Sequence, residues 1–164
     1  MVDWEVAASL GARLAGDGPA VSAGEAAAVV AELRAGAERS TGLVRDYTGL
    51  VAEERTAPVL VVDRAGWVRA NTQGFQAIID PLVTKLSEKK GPPNGLAKAI
   101  GSRVTGAEIG LVLGFLGSKV LGQFDPFFEP DGRLLLVAPN IVTVERELQA
   151  DPNDFRLWVC LHEE

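Results

Sequence analysis

The residues best suited to chemistry stand last in this chain, as Leu161-His162-Glu163-Glu164. In a His-Glu-x-x-His pattern on a helix, the two histidines lie one turn apart on one face and hold zinc. The glutamate between them serves as general base toward the metal-bound water. His162 is thus the candidate ligand and Glu163 the candidate base, and the second histidine would fall two residues after Glu164. By itself the pair is a weak signal. A histidine on an apolar helix face is most often a hydrogen-bonded core residue, and Glu163 and Glu164 read equally well as solvated charges.

The helix that must position this pair can be read from its start. Asp151 is a good N-cap, Pro152 suits the first helical position, and Asp154 places negative charge in the first turn. Phe155, Trp158, Val159 and His162 follow at offsets of three, four and seven, which is one helical face. The apolar members are expected to face a core and to hold His162 at a fixed angle. No stop signal answers this start: Glu163, Glu164 and a carboxylate oppose the negative end of the helix dipole. The sequence therefore predicts a fragment ending inside an active-site helix.

With 164 residues and 47% hydrophobic content, the chain is long enough for one domain with a core. A net charge of −6 argues against a nucleic-acid partner, which needs a basic face. The single cysteine, Cys160, leaves no internal disulfide framework and suits a reducing compartment. Met1-Val2-Asp3-Trp4-Glu5 carries acids where a secretory signal has basic residues. The apolar stretch from Ile109 to Leu121 contains Lys119 and is shorter than the ~18 residues of a membrane span. The expectation is a cytoplasmic protein without a membrane partner.

Helices dominate the pattern, with two short buried strands. A first helix is expected over Asp3–Ala15, and a second follows the Ser22/Glu25 capping box through Leu33. Ser40-Thr41-Gly42 reads as a turn into a further helical stretch through Leu50. Pro58–Asp63 reads as a strand apolar on both faces, and Arg64-Ala65-Gly66 as a turn. A helix from about Trp67 to Leu86 would break at Asp80-Pro81. Lys89–Gly95 is the clearest loop and the best candidate for mobility. A glycine-studded helix from Leu96 to about Leu121 follows, then irregular chain over Gly122–Arg133. Leu134–Val137 is the second buried strand, and Pro139-Asn140 caps a helix over Ile141–Leu148. The first 55 residues are a candidate helical subdomain, and residues 56–164 a mixed part leading into the active-site helix.

Gly106, Gly110 and Gly114 recur every four residues, a stripe that lets another backbone come close. A tightly packed internal helix explains it better than membrane dimerisation, given Glu108 and Lys119. Cys160 and His162 point about 200° apart on a helix and cannot grip one ion, so Cys160 reads as a small buried hydrophobe. Lys89 and Lys90 read as solvated loop charges, and Asp125 and Asp131 as turn residues.

Several segments together resemble one family. They are Ala57–Asp63, Gly66–Asn71, Val120–Asp125, Leu135–Asn140 and Asp154–Glu163, in that order along the chain. The family is the zincin-like metallopeptidases of type 2, often labelled as associated with deazaflavin-coenzyme biosynthesis, and the resemblance runs from Val2 to the end. It implies an α+β, predominantly helical fold, with residues 1–164 an incomplete N-terminal part of a zincin-like hydrolase domain. It also implies that His162 is the first zinc ligand and Glu163 the general base in the intact parent. The reaction implied is hydrolysis of a peptide or other amide bond by metal-activated water. The second histidine and further ligands would lie beyond these residues, so no zinc and no activity are expected of the 164 residues alone. No coenzyme-binding motif is visible, and neither substrate nor oligomeric state is indicated. The alternative is a non-catalytic helical binding or scaffold module in which His162 is structural.

Overall fold

The computed structural model describes residues 2–51, 57–90, 95–128 and 132–163. The element order is α1 (Trp4–Ala15), α2 (Ala23–Thr48), β1 (Val59–Val62), α3 (Arg64–Lys90), α4 (Gly95–Gly117), β2 (Gly122–Asp125), β3 (Arg133–Val137), α5 (Ala138–Leu148) and α6 (Pro152–Glu163). The fold is α+β and mostly helical, with one small sheet. The chain forms two compact units, Met1–Gly16 with Arg64–Ser118, and Asp17–Asp63 with Lys119–Glu164. The boundary expected near residue 55 lies outside the described residues, and the units divide elsewhere.

In the first unit, α1 packs along α4, and the glycine stripe is the reason it can. A Cβ on Gly106 would stand 2.3 Å from the Asp3 carbonyl oxygen, and one on Gly110 would stand 2.9 Å from that of Ala7. One on Gly114 would stand 2.8 Å from Leu14 Cβ. No real Cβ fits at such distances, so the stripe is a backbone contact surface, as the packed-helix reading expects. The Asp3 N–H also donates to Ser102 O at 3.0 Å, and the Asp3 side chain caps α1 by accepting from Val6 N–H at 3.1 Å. The Ile100–Gly117 window of α4, mean hydropathy 1.2, is long and apolar enough to cross a membrane by length and composition. It begins well before the apolar run read from the sequence.

Helix α3 starts at Arg64 rather than after a turn, and it runs through Pro81. Pro81 lacks an N–H and leaves the Ala77 carbonyl without its helical donor, but both residues lie on the exposed side of the helix, where solvent can satisfy a carbonyl at low cost. Of the expected loop, residues 91–94 lie outside the described residues.

The second unit is built on a three-stranded sheet of order β1-β3-β2. β1 pairs parallel with β3, from Val59↔Leu134 to Val62↔Val137, and β2 pairs antiparallel with it, from Gly122↔Leu136 to Asp125↔Arg133. The sheet thus has three strands rather than two. Gly122–Asp125 is too short to show a period of two, and its glycine and aspartate resemble turn residues. Central β3 is buried along its whole length, whereas outer β1 leaves Leu60 39% exposed, which corrects the expectation that both faces of β1 are covered. Helix α2 is one helix where two were expected. Ser40 is buried within it and its hydroxyl donates to Gly36 O at 2.9 Å, so the anticipated turn does not form. Its apolar face (Val29, Leu33, Ala37) packs with β3, α5 and α6 into one core.

Candidate functional site

Helix α6 begins as its sequence specifies. The Asp151 carboxylate accepts from the N–H groups of Asn153 (3.0 Å) and Asp154 (3.1 Å) and satisfies two of the first turn's donors. The buried face is Phe155, Arg156, Val159 and Cys160. Trp158 does not join it: it is 52% exposed, although the spacing placed it among the core-facing residues. The buried stripe is centred between Val159 and Arg156, and Trp158 falls beyond its Phe155 edge.

Arg156 ties this helix down. Its Nε and Nη2 donate to the two carboxylate oxygens of Glu145 on α5, at 2.8 and 2.9 Å, and its Nη1 pairs with Glu32 on α2. One planar guanidinium thus links α6 to two neighbouring helices, a geometry that only arginine supplies. One turn on, Cys160 is fully buried, and its thiol donates to Leu33 O at 3.6 Å. It is the small buried group expected and sits where Gly36 leaves room, since a Cβ there would lie 3.1 Å from its sulfur.

The two candidate site residues stand at the end of this anchored stretch and face different surroundings. His162 is exposed, and its ring stacks on Trp158 with centroids 5.3 Å apart and planes 16° from parallel. Trp158 in turn stacks on Phe155 at 5.8 Å and 24°. The three rings form a ladder up the outer flank, so His162 has a fixed ring plane even though its neighbour is not buried. Trp158 holds the imidazole by stacking, not by core packing.

Glu163 continues the buried side of the helix, four residues after Val159, and is half-buried against β2. A Cβ on Gly122 would lie 2.6 Å from Glu163 Cγ and 2.8 Å from Cδ, so the Glu163 side chain lies directly against the Gly122 backbone and would have to shift to admit a side chain there. Burial pushes the Glu163 carboxyl above the usual carboxylate range, and the charge of neighbouring His162 draws it partly back. A carboxylate with a raised affinity for protons, beside a histidine of fixed orientation, is suited to accept a proton from water.

Other candidates fall away. Asp125 accepts from Phe127 N–H at 3.2 Å, the turn role expected, and also from Arg133 Nε at 3.0 Å in a buried pair that the sequence did not reveal. Asp131 and the side chains of Lys89 and Lys90 lie outside the described residues. Gly122, the ring ladder and the Arg156 fork also went unread. Of these only the ladder had a sequence signal, the Trp158/His162 spacing of four.

Residues 2–164 match the family described as zincin-like metallopeptidase. The chain belongs to that family. A crystal structure from Chloroflexus aurantiacus, of a protein described as "a putative hydrolase with a novel fold", is similar to it at 30% identity and a TM-score of 0.73. The match covers 99% of this chain and 51% of that one, so the chain spans about half the length of its structural relative. No curated protein matches it.

Membership of this family implies zinc in the intact protein. A catalytic zinc takes three protein ligands, and no group of three His, Cys, Asp or Glu is gathered among the described residues. His162 has the exposure and fixed ring expected of one ligand. Taken alone, the described residues do not fit the whole metal site.

Proposed function

We propose that this chain carries the first metal ligand, His162, and the general base, Glu163, of a zinc-dependent hydrolase that cleaves a peptide or related amide. The observation that carries the reading is the partly desolvated Glu163 carboxylate, lying against Gly122 one residue from an exposed, ring-stacked histidine. Family membership and the resemblance to a hydrolase structure support the reaction class. In this reading Glu163 removes a proton from the attacking water and returns it to the leaving amine. A peptide-like substrate is favoured by β2, an outer strand whose first residue touches Glu163. An extended peptide adding to that side of the sheet would bring its carbonyls toward the base.

The remaining ligands belong, in this proposal, to a polypeptide closer in length to the Chloroflexus protein, and the 164 residues alone bind no stoichiometric zinc and hydrolyse nothing. The reading frame after codon 164 gives the first check, since a histidine two positions on completes the pattern. In the protein so extended, His162→Ala releases metal, because it removes a ligand. Glu163→Gln keeps metal and abolishes turnover, because an amide cannot take the proton. Metal content by mass spectrometry beside a peptidase assay separates the two. Equal loss of zinc from both variants would overturn the roles, and a stop codon with no zinc bound would favour the scaffold module.

A further inference from the structure

The second unit contains a cavity of about 220 Å³ that the hydrolase reading does not use. It opens between the first half of α2, the end of β1 and the start of α5. This is the carboxyl end of the parallel pair β1–β3, where open α/β sheets place their ligand crevices. Its walls are branched and cyclic aliphatics, chiefly Val29, Val30, Val61, Val62, Pro139 and Val142. An apolar cavity of ~150 Å³ suffices for benzene, so this one has room for a ring and a short substituent. Few polar groups converge on it, and they are of one sign: Asp17 and Asp63 line it, both exposed to solvent, with no Lys, Arg or His in the wall.

The combination selects a ligand class. An aliphatic wall strips water from a hydrocarbon body, and two carboxylates at a solvent-facing rim stabilise a positive head that stays partly hydrated. A carboxylate or phosphate on the ligand would meet repulsion from the same rim, increased by the net charge of −6. We infer that this cavity, between α2, β1 and α5, binds a small apolar primary ammonium: a branched-alkyl or aryl-methyl group within the valine walls and its ammonium toward Asp17 and Asp63. The site is independent of the zinc reading, and its test needs no activity.

The experiment is a methyl-detected NMR titration of the 164-residue chain with three probes sharing one ring: benzylamine, cationic at pH 7, benzyl alcohol and benzoate. Benzylamine is expected to shift the Val29, Val30, Val61, Val62 and Val142 methyls at the lowest concentration, benzyl alcohol to bind more weakly and benzoate least. Asp17→Asn and Asp63→Asn, both at exposed positions, should each weaken benzylamine by up to about fivefold and leave benzyl alcohol unchanged. Ala26→Phe, at an exposed lining position, should fill the space and abolish all three sets of shifts. Benzoate or benzyl alcohol binding as tightly as benzylamine would overturn the inference. So would shifts that survive Ala26→Phe, or no cavity shift with any probe.

Discussion

Helices α4 and α6 are each held along one stripe, with the materials reversed. On α4 the glycines belong to the helix itself: Gly106, Gly110 and Gly114 admit the backbone of α1. On α6 the glycines belong to its partners: Gly36 on α2 makes room for Cys160, and Gly122 on β2 makes room for Glu163. The first arrangement brings two backbones together, with only backbone and Cβ atoms of α1 nearest the glycines. The second sets specific side chains into specific gaps, which is what placing a reactive group requires. Both stripes have close contacts, and they differ in what a substitution would break.

The largest effect is expected where α6 depends on a side chain alone. Arg156→Ala strands the Glu145 carboxylate, which is buried on α5, and releases Glu32 on α2. Removing one partner of a buried pair costs about 3 kcal/mol, at the low end of the usual range because Glu32 is half in solvent. Urea unfolding measures it. The double change Arg156→Met with Glu145→Leu removes both buried charges and should recover to within about 1 kcal/mol of the starting protein. If the single variant lost no stability, the fork would not be what anchors α6.

A smaller effect, with an internal control, is expected on α4. Alanine favours a helix over glycine by up to ~1 kcal/mol, so any Gly→Ala change there begins with that gain. At Gly106 the new methyl would sit 2.3 Å from the Asp3 carbonyl oxygen, a backbone atom that cannot swing aside. Overpacking of this kind costs about 1–3 kcal/mol, so a net loss near 2 kcal/mol is expected. At Gly101, where a Cβ meets nothing within 4 Å, the same change should stabilise by up to about 1 kcal/mol. Opposite signs at two positions of one helix would confirm a backbone contact surface. A gain at both would show that α1 lies farther away.

The same contrast explains what the sequence disclosed. Local signals were legible: Asp3, Ser22 and Asp151 each cap the helix they were expected to start, and the four-residue glycine period announced a close approach. Strand β3 declared itself as an unbroken apolar run. What stayed hidden depends on partners distant in the chain. Arg156 meets Glu32 across 124 residues, and nothing local distinguishes that arginine from a solvated one. Gly122 looked like a turn residue, and the side chain that lies against it, Glu163, comes 41 positions later. Ser40 misled in the other direction: a turn-forming type became helical once burial gave its hydroxyl the Gly36 carbonyl. For the candidate site, the identities of His162 and Glu163 were readable, while their different surroundings were not.

The smallest effect tests those surroundings directly. A carboxyl group whose affinity for protons is raised by folding favours the folded state when protonated and opposes it when ionised. The contribution of Glu163 is therefore fully present below the ordinary carboxylate range and is lost as pH rises through its raised value. Glu163→Gln removes the ionisation and keeps the shape, so it should stabilise the metal-free chain at pH 7 by at most about 0.5 kcal/mol, the scale of a partly exposed site. The gain should shrink as pH falls from 7 toward about 4 and vanish below it, where both side chains are neutral. Paired urea curves across that interval decide the matter. A gain independent of pH would locate the benefit in packing against Gly122, and a loss at pH 7 would mean that Glu163 is stabilised as a carboxylate. The expected result would leave a residue that costs the fold a little at neutral pH, as a retained general base does.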